Sequence, residues 1–411
     1  MRVLMLGWEL PPHYVGGMGI VCEQLTRQMA KDGHDIEFIL PFYADFGHVT
    51  HMKVTAAIDQ DAETLMQSGG TYDSTRFEVT KNGQHIVTRS LYEQVHAYAQ
   101  NVGRVVEYGQ YDLIHAHDWL TLRAGIEAKR ATGLPLFVHI HATEFDRAGG
   151  GYGNPKVREI EYMGLHIADH IFAVSQRTKD TLINEYFIPA EKITVTSNMM
   201  DIPADLVNEE HDTYVYLQKM RSLGYKVVVN AGRMTMQKGI YHLLQAARKV
   251  VDKQPKTLFL LAGGGEQIPE LIEEAAALGL SGNVLFTGRI EGIGKQWRDA
   301  FRVADVFIMP SVSEPLGLVP YEAIAYGAPA IISNQSGIAE VLQNVLKVDY
   351  WDTEKMADQI CAVLREPTLH DTLLDNAQSE VKKLTWAPVA QKIYDRYQTV
   401  LKTRKPVGAY V

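Results

Sequence analysis

The chain has 411 residues, 46% of them apolar, and a formal net charge of −9 at pH 7. That length holds two domains of ordinary size, and that apolar content excludes a disordered chain. The negative charge argues against nucleic-acid binding and against attraction to anionic lipid, and no apolar run approaches the ~20 residues needed to cross a bilayer.

The apolar start, Met1 to Gly7, meets Trp8, Glu9 and two prolines too soon for a signal peptide and reads as a first buried strand, residues 2–6. A loop with three glycines, Gly16, Gly17 and Gly19, comes next. It leads into a helix over about residues 20–32, and a strand at 36–40 completes a βαβ unit. Bare backbone amides at Gly17 and Gly19, opening a helix, suit a phosphate. The loop is not Gly-x-Gly-x-x-Gly, so a dinucleotide-binding dehydrogenase is not indicated. Residues 50–95 are less regular, with one hairpin expected around Asn82-Gly83. Residues 111–119, Tyr-Asp-Leu-Ile-His-Ala-His-Asp-Trp, read as a strand end and a loop. Its trio His115, His117 and Asp118 suggests a metal site but lacks a defined further ligand elsewhere, and no metal is assigned. The strand at 136–141 ends in a polar cluster, His141, Glu144, Asp146 and Arg147, where a parallel strand meets its ligand. His139 is expected on the opposite face from His141, as a core histidine. Cys22 and Cys361 lie far apart in helical patterns and read as buried thiols of a reducing, cytoplasmic compartment.

An acidic, proline-containing stretch near 200–225 marks a boundary, after which the βα pattern restarts. A strand at 227–232 runs into Arg233-Met-Thr-Met-Gln-Lys238-Gly239 and a helix. Two cations beside a helix start make a diphosphate clamp. The apolar run 306–309 then leads into Ser311-Val-Ser-Glu314-Pro-Leu316-Gly317-Leu318-Val-Pro-Tyr-Glu322, with Pro320 suited to a helix's first turn. The spacing sets Glu314 and Glu322 roughly 10 Å apart at about 1.5 Å rise per residue. That is wide for a glycosidase pair, at roughly 5–9.5 Å. It fits the two ends of a long ligand, with sugar diols at Glu314, a ribose at Glu322 and phosphates at the amides between.

Glu-Pro-Leu-Gly-Leu-Val-Pro-Tyr-Glu, together with Gly-Arg-x4-Lys-Gly, resembles the signature of retaining glycosyltransferases of the glycogen synthase and sucrose-phosphate synthase type (glycosyltransferase family 4, close to family 5). The resemblance covers nearly the whole chain except residues 50–110. Tyr14 stands where glycogen synthases carry a lysine before the glycine pair. The resemblance implies an α/β protein of the GT-B fold, two Rossmann-like βα domains facing each other across a cleft. The first, residues 1–205, would be the acceptor side and the second, 206–387, would bind the nucleotide sugar, with the C-terminal helix at 388–411 packing back on the first. It implies catalytic roles for Glu314, His141, Arg233 and Lys238. Donor binding would fall to Gly17, Gly19, Arg233, Lys238, Glu314, Leu316, Gly317, Leu318 and Glu322, with the base held by backbone at Arg289 and Ile290. His117, Asp118, Glu144, Asp146 and Arg147 would lie on the acceptor side. The implied reaction moves a hexose, glucose, from UDP- or ADP-glucose to a carbohydrate or lipid-linked hydroxyl with retention and without cofactor or metal. A sugar-nucleotide epimerase, a glucan phosphorylase and a non-catalytic glycan-binding protein are the rival readings.

Overall fold

The computed structural model describes the chain apart from residues 14–15, 58–77, 82–83, 88–89, 208–211, 291–293 and 404–411, with side chains left aside at 78–81, 84–87, 108 and 204–205. The tip of the expected hairpin, Asn82-Gly83, and Tyr14 lie outside the described residues; the hairpin's strands are present and antiparallel. The strands are β1 (Arg2–Leu6), β2 (Asp35–Leu40), β3 (Lys53–Ala56), β4 (Glu78–Lys81), β5 (Gln84–Val87), β6 (Leu113–His117), β7 (Leu136–Ile140), β8 (His170–Ala173) and β9 (Ile193–Val195). After them come β10 (Lys226–Ala231), β11 (Thr257–Ala262), β12 (Val284–Phe286), β13 (Val306–Met309), β14 (Ala330–Ser333) and β15 (Leu346–Val348).

They form two compact units. One holds Met1–Glu144, Gly153–Asn198 and the segment from Trp386; the other holds Phe145–Tyr152 and Met199–Thr385. The division therefore falls at Asn198/Met199, and Asp146 and Arg147 sort with the second unit. The first unit is a seven-stranded sheet in the order β3-β2-β1-β6-β7-β8-β9, the second a six-stranded sheet in the order β12-β11-β10-β13-β14-β15, with every pair parallel. Both are the doubly wound Rossmann-like pattern, in which the strand order reverses once: between β1 and β6, and between β10 and β13.

Parallel sheets covered on both faces need strands that are apolar at successive positions. In the second unit the alternation is visible. Val228, Phe259, Leu261, Val306, Ile308 and Ile331 pack under helices Ile240–Lys253 and Thr353–Arg365. Val227, Val229, Leu258, Leu260, Phe307 and Ile332 pack on the other face with Phe301 and Ile324. In the first unit, helix Trp386–Thr403 lies against helix Gly17–Lys31 and β8, with the Trp386 indole donating to Gln24 at 3.0 Å and Tyr397 fully buried.

Two departures from the sequence reading have local causes. The segment after β6 is not a loop: helix Asp118–Thr132 begins at once, because Asp118 takes a left-handed conformation at φ +55 that turns the chain in one residue. Strands β3 and β15 were not foreseen; they are short edge strands, mostly half-buried, and carry no long apolar run.

The loops after β10 and β11 touch backbone to backbone. Gly263 has φ +138, and a Cβ there would lie 1.9 Å from the Gly232 carbonyl oxygen; one on Gly239, at φ +67, would lie 2.1 Å from the Pro310 oxygen. Only glycine tolerates both the dihedral and the approach. Gly263→Ala should therefore cost more than about 1 kcal/mol of stability in a denaturant titration. An unchanged midpoint would mean that these loops are not held in contact.

Candidate functional site

Ligands of open α/β sheets bind at the carboxyl ends of the strands where the order reverses. In the second unit that place is flanked by the loops after β10 and β13, which carry the Arg233–Gly239 and Ser311–Gly317 motifs. The structure joins them. Lys238 Nζ lies 2.5 Å from Glu314 Oε2, and the Ser311 hydroxyl donates to the same oxygen at 3.0 Å. Gln237 stitches the loops, its side chain donating to the Ser313 carbonyl and its own carbonyl accepting from Val312, both at 2.9 Å. The Glu314 backbone is held on the other side by the Gln335 carbonyl and the Gly337 amide. Lys238 and Glu314 thus form a preset pair, largely buried yet not sealed, with side-chain exposures of 21% and 10%.

Arg233 differs. Its side chain is exposed and, among the described residues, makes no ion pair or side-chain hydrogen bond. Its loop is fixed through the backbone, since Met234 donates to the Gly264 carbonyl at 2.8 Å. Arg289 packs its Cβ against Gly264, so the predicted base-side residue lies near the same loops; its side chain is exposed and Ile290 is half-buried on the core. Leu316 is buried, its carbonyl accepting from Ile338, while Gly317 and Leu318 are partly open. Asp146 is buried in this unit, its carboxylate accepting from the Ser313 hydroxyl at 3.0 Å, and Arg147 is half-buried.

Glu322 sits in the first turn of helix Val319–Ala325 and is buried. Its carboxylate accepts from the Trp297 indole at 2.8 Å. Burial pushes its pKa up to about 7, against the pull of that hydrogen bond. The sequence reading missed Trp297, Ser311 and Gln237, none of which stands out by type or spacing.

In the first unit Gly17 opens helix Gly17–Lys31 and Gly19 lies within its first turn. The anion that this helix start meets is the buried carboxylate of Glu9, which accepts from the Gly19 amide at 3.3 Å. A carboxylate at a helix N-terminus is favourable. The other candidates are also tied into the fold. Asp118 Oδ1 accepts from the His141 and Ala142 amides at 2.7 and 3.3 Å. Glu144 accepts from the Asn154 amide at 2.8 Å, and its own amide donates to Glu161.

His139 overturns the expected geometry. Residues two apart on a strand share a face, and His139 stacks on His141 at 4.5 Å between ring centroids. His115, His117, His139 and His141 form one cluster. The first three are fully buried, and His141 is half-buried. The His117 Nδ1 and His141 Nε2 atoms are 2.9 Å apart, and His141 Nδ1 is 3.0 Å from the Asn198 amide nitrogen. Burial lowers all four pKa values, that of His115 to about 3, with neighbouring histidines adding to it for the first three; at His141 the Asp118 carboxylate opposes the shift. A separate recess of about 430 Å³, lined by Arg2, Glu37, Lys53 and Tyr111 among others, includes none of these residues.

The Glu322 shift has a measurable sign. The native state keeps a proton that the unfolded chain loses near pH 4.5, so this group's contribution is fully present below that value and is lost as pH rises through about 7. The cost of ionising it is on the order of 3 kcal/mol at most. Glu322→Gln keeps an acceptor for Trp297 without the charge. It should stabilise the ligand-free protein at pH 8 and have a much smaller effect at pH 5, read by chemical denaturation. A difference independent of pH would refute the shift.

Residues 15–202 match the family described as Glycosyltransferase Family 4, and residues 216–380 match Glycosyl transferases group 1. An uncharacterized glycosyltransferase of Methanocaldococcus jannaschii is 26% identical over 98% of this chain and 99% of its own length. The glycogen synthase of Mycobacterium tuberculosis is 27% identical over 84% of this chain and 80% of its own. The solved structure of sucrose-phosphate synthase from Thermosynechococcus elongatus superposes with a TM-score of 0.73 at 19% identity, covering 98% of this chain and 100% of that one. Matched domains, strand order and the loops at the second switch point agree: this chain is a GT-B glycosyltransferase, a family 4 domain followed by a group 1 domain.

Proposed function

We propose that this glycosyltransferase moves glucose from UDP- or ADP-glucose to a hydroxyl of a glucan or small sugar in the cytoplasm, with retention of the α configuration. The observation that carries the donor assignment is the Lys238–Glu314 pair at the β10/β13 switch point, on a loop that also carries the exposed Arg233. A donor sugar nucleotide presents two chemistries, a doubly charged diphosphate and a ring of hydroxyls. Arg233 and Lys238 offer donors to the first, and the Glu314 carboxylate accepts from the second. The similarity to glycogen synthase supports a glucosyl donor and a carbohydrate acceptor.

In the reaction the bond from the anomeric carbon to the diphosphate oxygen breaks, and the acceptor oxygen forms its bond on the same face. The acceptor proton passes to an oxygen of the departing diphosphate. Charge grows on that group, and the two cations stabilise it in the transition state. No divalent ion is needed at the phosphates, since two side chains meet their charge. Glu314, held by its pairing with Lys238, orients the sugar. Glu322 takes the ribose: a diol donating to its carboxylate would replace lost solvation and favour the ionised form.

Assays against UDP-, ADP- and GDP-sugars in a chelator, read by nucleotide release, should show turnover with a glucosyl donor. Arg233→Ala and Lys238→Ala should each lower kcat/KM about ten- to a hundredfold, the worth of one charged hydrogen bond at roughly 1.5–3 kcal/mol. Unchanged turnover in both would remove the clamp. Proton NMR of the new glycosidic bond should show the small anomeric coupling of an α-glucoside from the earliest time point, and a large one would mean inversion.

A further inference from the structure

The sequence offers His115, His117 and Asp118 as metal ligands without a further ligand elsewhere; the fold brings His139 to the two histidines. Through the β6/β7 register, His117 stands directly opposite His139, with His115 on the same face two residues back. One ring nitrogen from each of the three lies within 4.8 Å of the others. All three side chains are fully buried.

Each of these histidines has one nitrogen in use and one without a partner among the described residues. His115 Nδ1 meets the Tyr397 hydroxyl, His117 Nδ1 meets His141 Nε2, and His139 Nε2 meets the Thr196 hydroxyl at 3.4 Å. The orphans are His115 Nε2, His117 Nε2 and His139 Nδ1. Buried polar atoms of native proteins are almost always satisfied, and each one left over costs about 1–3 kcal/mol. Three in one cluster point to a shared partner.

We propose that His115, His117 and His139 bind one transition-metal ion of the zinc class in the interior of the first unit. Three neutral imidazoles are a zinc-type donor set. The proton arrangement is consistent. Each ligand's engaged nitrogen carries its hydrogen and donates outward, to Tyr397, His141 and Thr196, leaving the orphaned nitrogen with its lone pair. His141 then accepts on Nε2 and carries its hydrogen on Nδ1. Asn198, turned by half a rotation about its amide, receives that hydrogen on Oδ1, an atom otherwise without a partner. Such outer hydrogen bonds are how proteins fix the tautomer of metal-bound histidine. Zn–N bonds of about 2.0–2.1 Å put tetrahedral donors ~3.3 Å apart, so binding requires the three rings, stacked within 24° of one another, to turn toward a common centre as well as to close. The buried carboxylate of Asp118, next in sequence to His117, supplies opposite charge. The ion ties β6 to β7 beneath helix Trp386–Thr403. It goes beyond the transfer reaction and leaves the diphosphate step unchanged.

The test uses the full chain, purified without a histidine tag or chelator, and reads metal content by mass spectrometry and Co²⁺ binding by its visible spectrum after stripping. The expected result is one zinc per chain as purified and one saturable cobalt site. His117→Gln and His139→Gln, checked for native circular dichroism, should bring the content below about one-tenth. Tyr397→Phe should weaken cobalt binding ten- to a hundredfold. His166→Gln, at an exposed position, should change nothing. Less than one-tenth of an ion in the folded parent with no cobalt spectrum would overturn the proposal, as would binding that survives in both His117→Gln and His139→Gln. Because the readout is bound metal and not turnover, failure here leaves the transferase reading standing, and failure of that reading leaves this one.

Discussion

Burial of both faces of two parallel sheets is the constraint on which the other features depend. A strand covered above and below by helices has no solvated side on which to place a polar residue. Ionic chemistry is therefore displaced to the strand ends, and to the one place where adjacent connections leave in opposite directions. In the second unit this puts the Lys238 and Glu314 loops side by side without a long-range device: β10 and β13 are hydrogen-bonded neighbours, so the loops leaving their carboxyl ends emerge next to each other. Asn230 reinforces the register, donating from inside β10 to the Ile308 carbonyl on β13 at 2.9 Å.

On the proposed function, the pairing of Lys238 with Glu314 also limits what the site would bind. A buried ion pair adds little net stability, because desolvation cancels much of the attraction, but losing one partner strands the other. The pair is thus held together until a ligand offers each ion something better. A diphosphate competes for the ammonium and sugar hydroxyls compete for the carboxylate, and only a molecule carrying both satisfies the two at once. Either half alone leaves one ion partly unmet. On the proposed donor assignment, specificity for a complete sugar nucleotide would follow from that coupling.

The second domain was legible to a degree that the first was not, for a physical reason. Arg233, Lys238, Glu314 and Glu322 are charged residues punctuating apolar strands and glycine loops, so their exception to the pattern is visible in one dimension. The sharp turn at Asp118 was invisible because no glycine marks it; an aspartate adopts the left-handed conformation there while its carboxylate caps the end of the neighbouring strand. Glu9 could not be connected to the Gly19 amide without knowing that the chain folds back on itself before helix Gly17–Lys31. His139 was placed on the wrong face, although the strand period of two sets it on the same side as His141; the rule was available in the sequence and was misapplied.

The histidine cluster shows what the same constraint costs when it is broken. Imidazoles in a strand interior must lose hydration without the strand ends' access to water, and β6 and β7 together bring three into a fully buried position with a fourth at the margin. A run of Val or Ile would satisfy the packing and carry no orphaned atoms. Keeping histidine is tolerable only if the group gains elsewhere what burial removes. The hydrogen bonds to Tyr397, Thr196 and His141 recover half of each ring's capacity and leave one nitrogen of each ring without a partner among the described residues. Tyr397 makes that arrangement depend on the C-terminal helix, so the last helix of the chain completes the interior of the first unit, and the cluster's geometry is set only once that helix has docked.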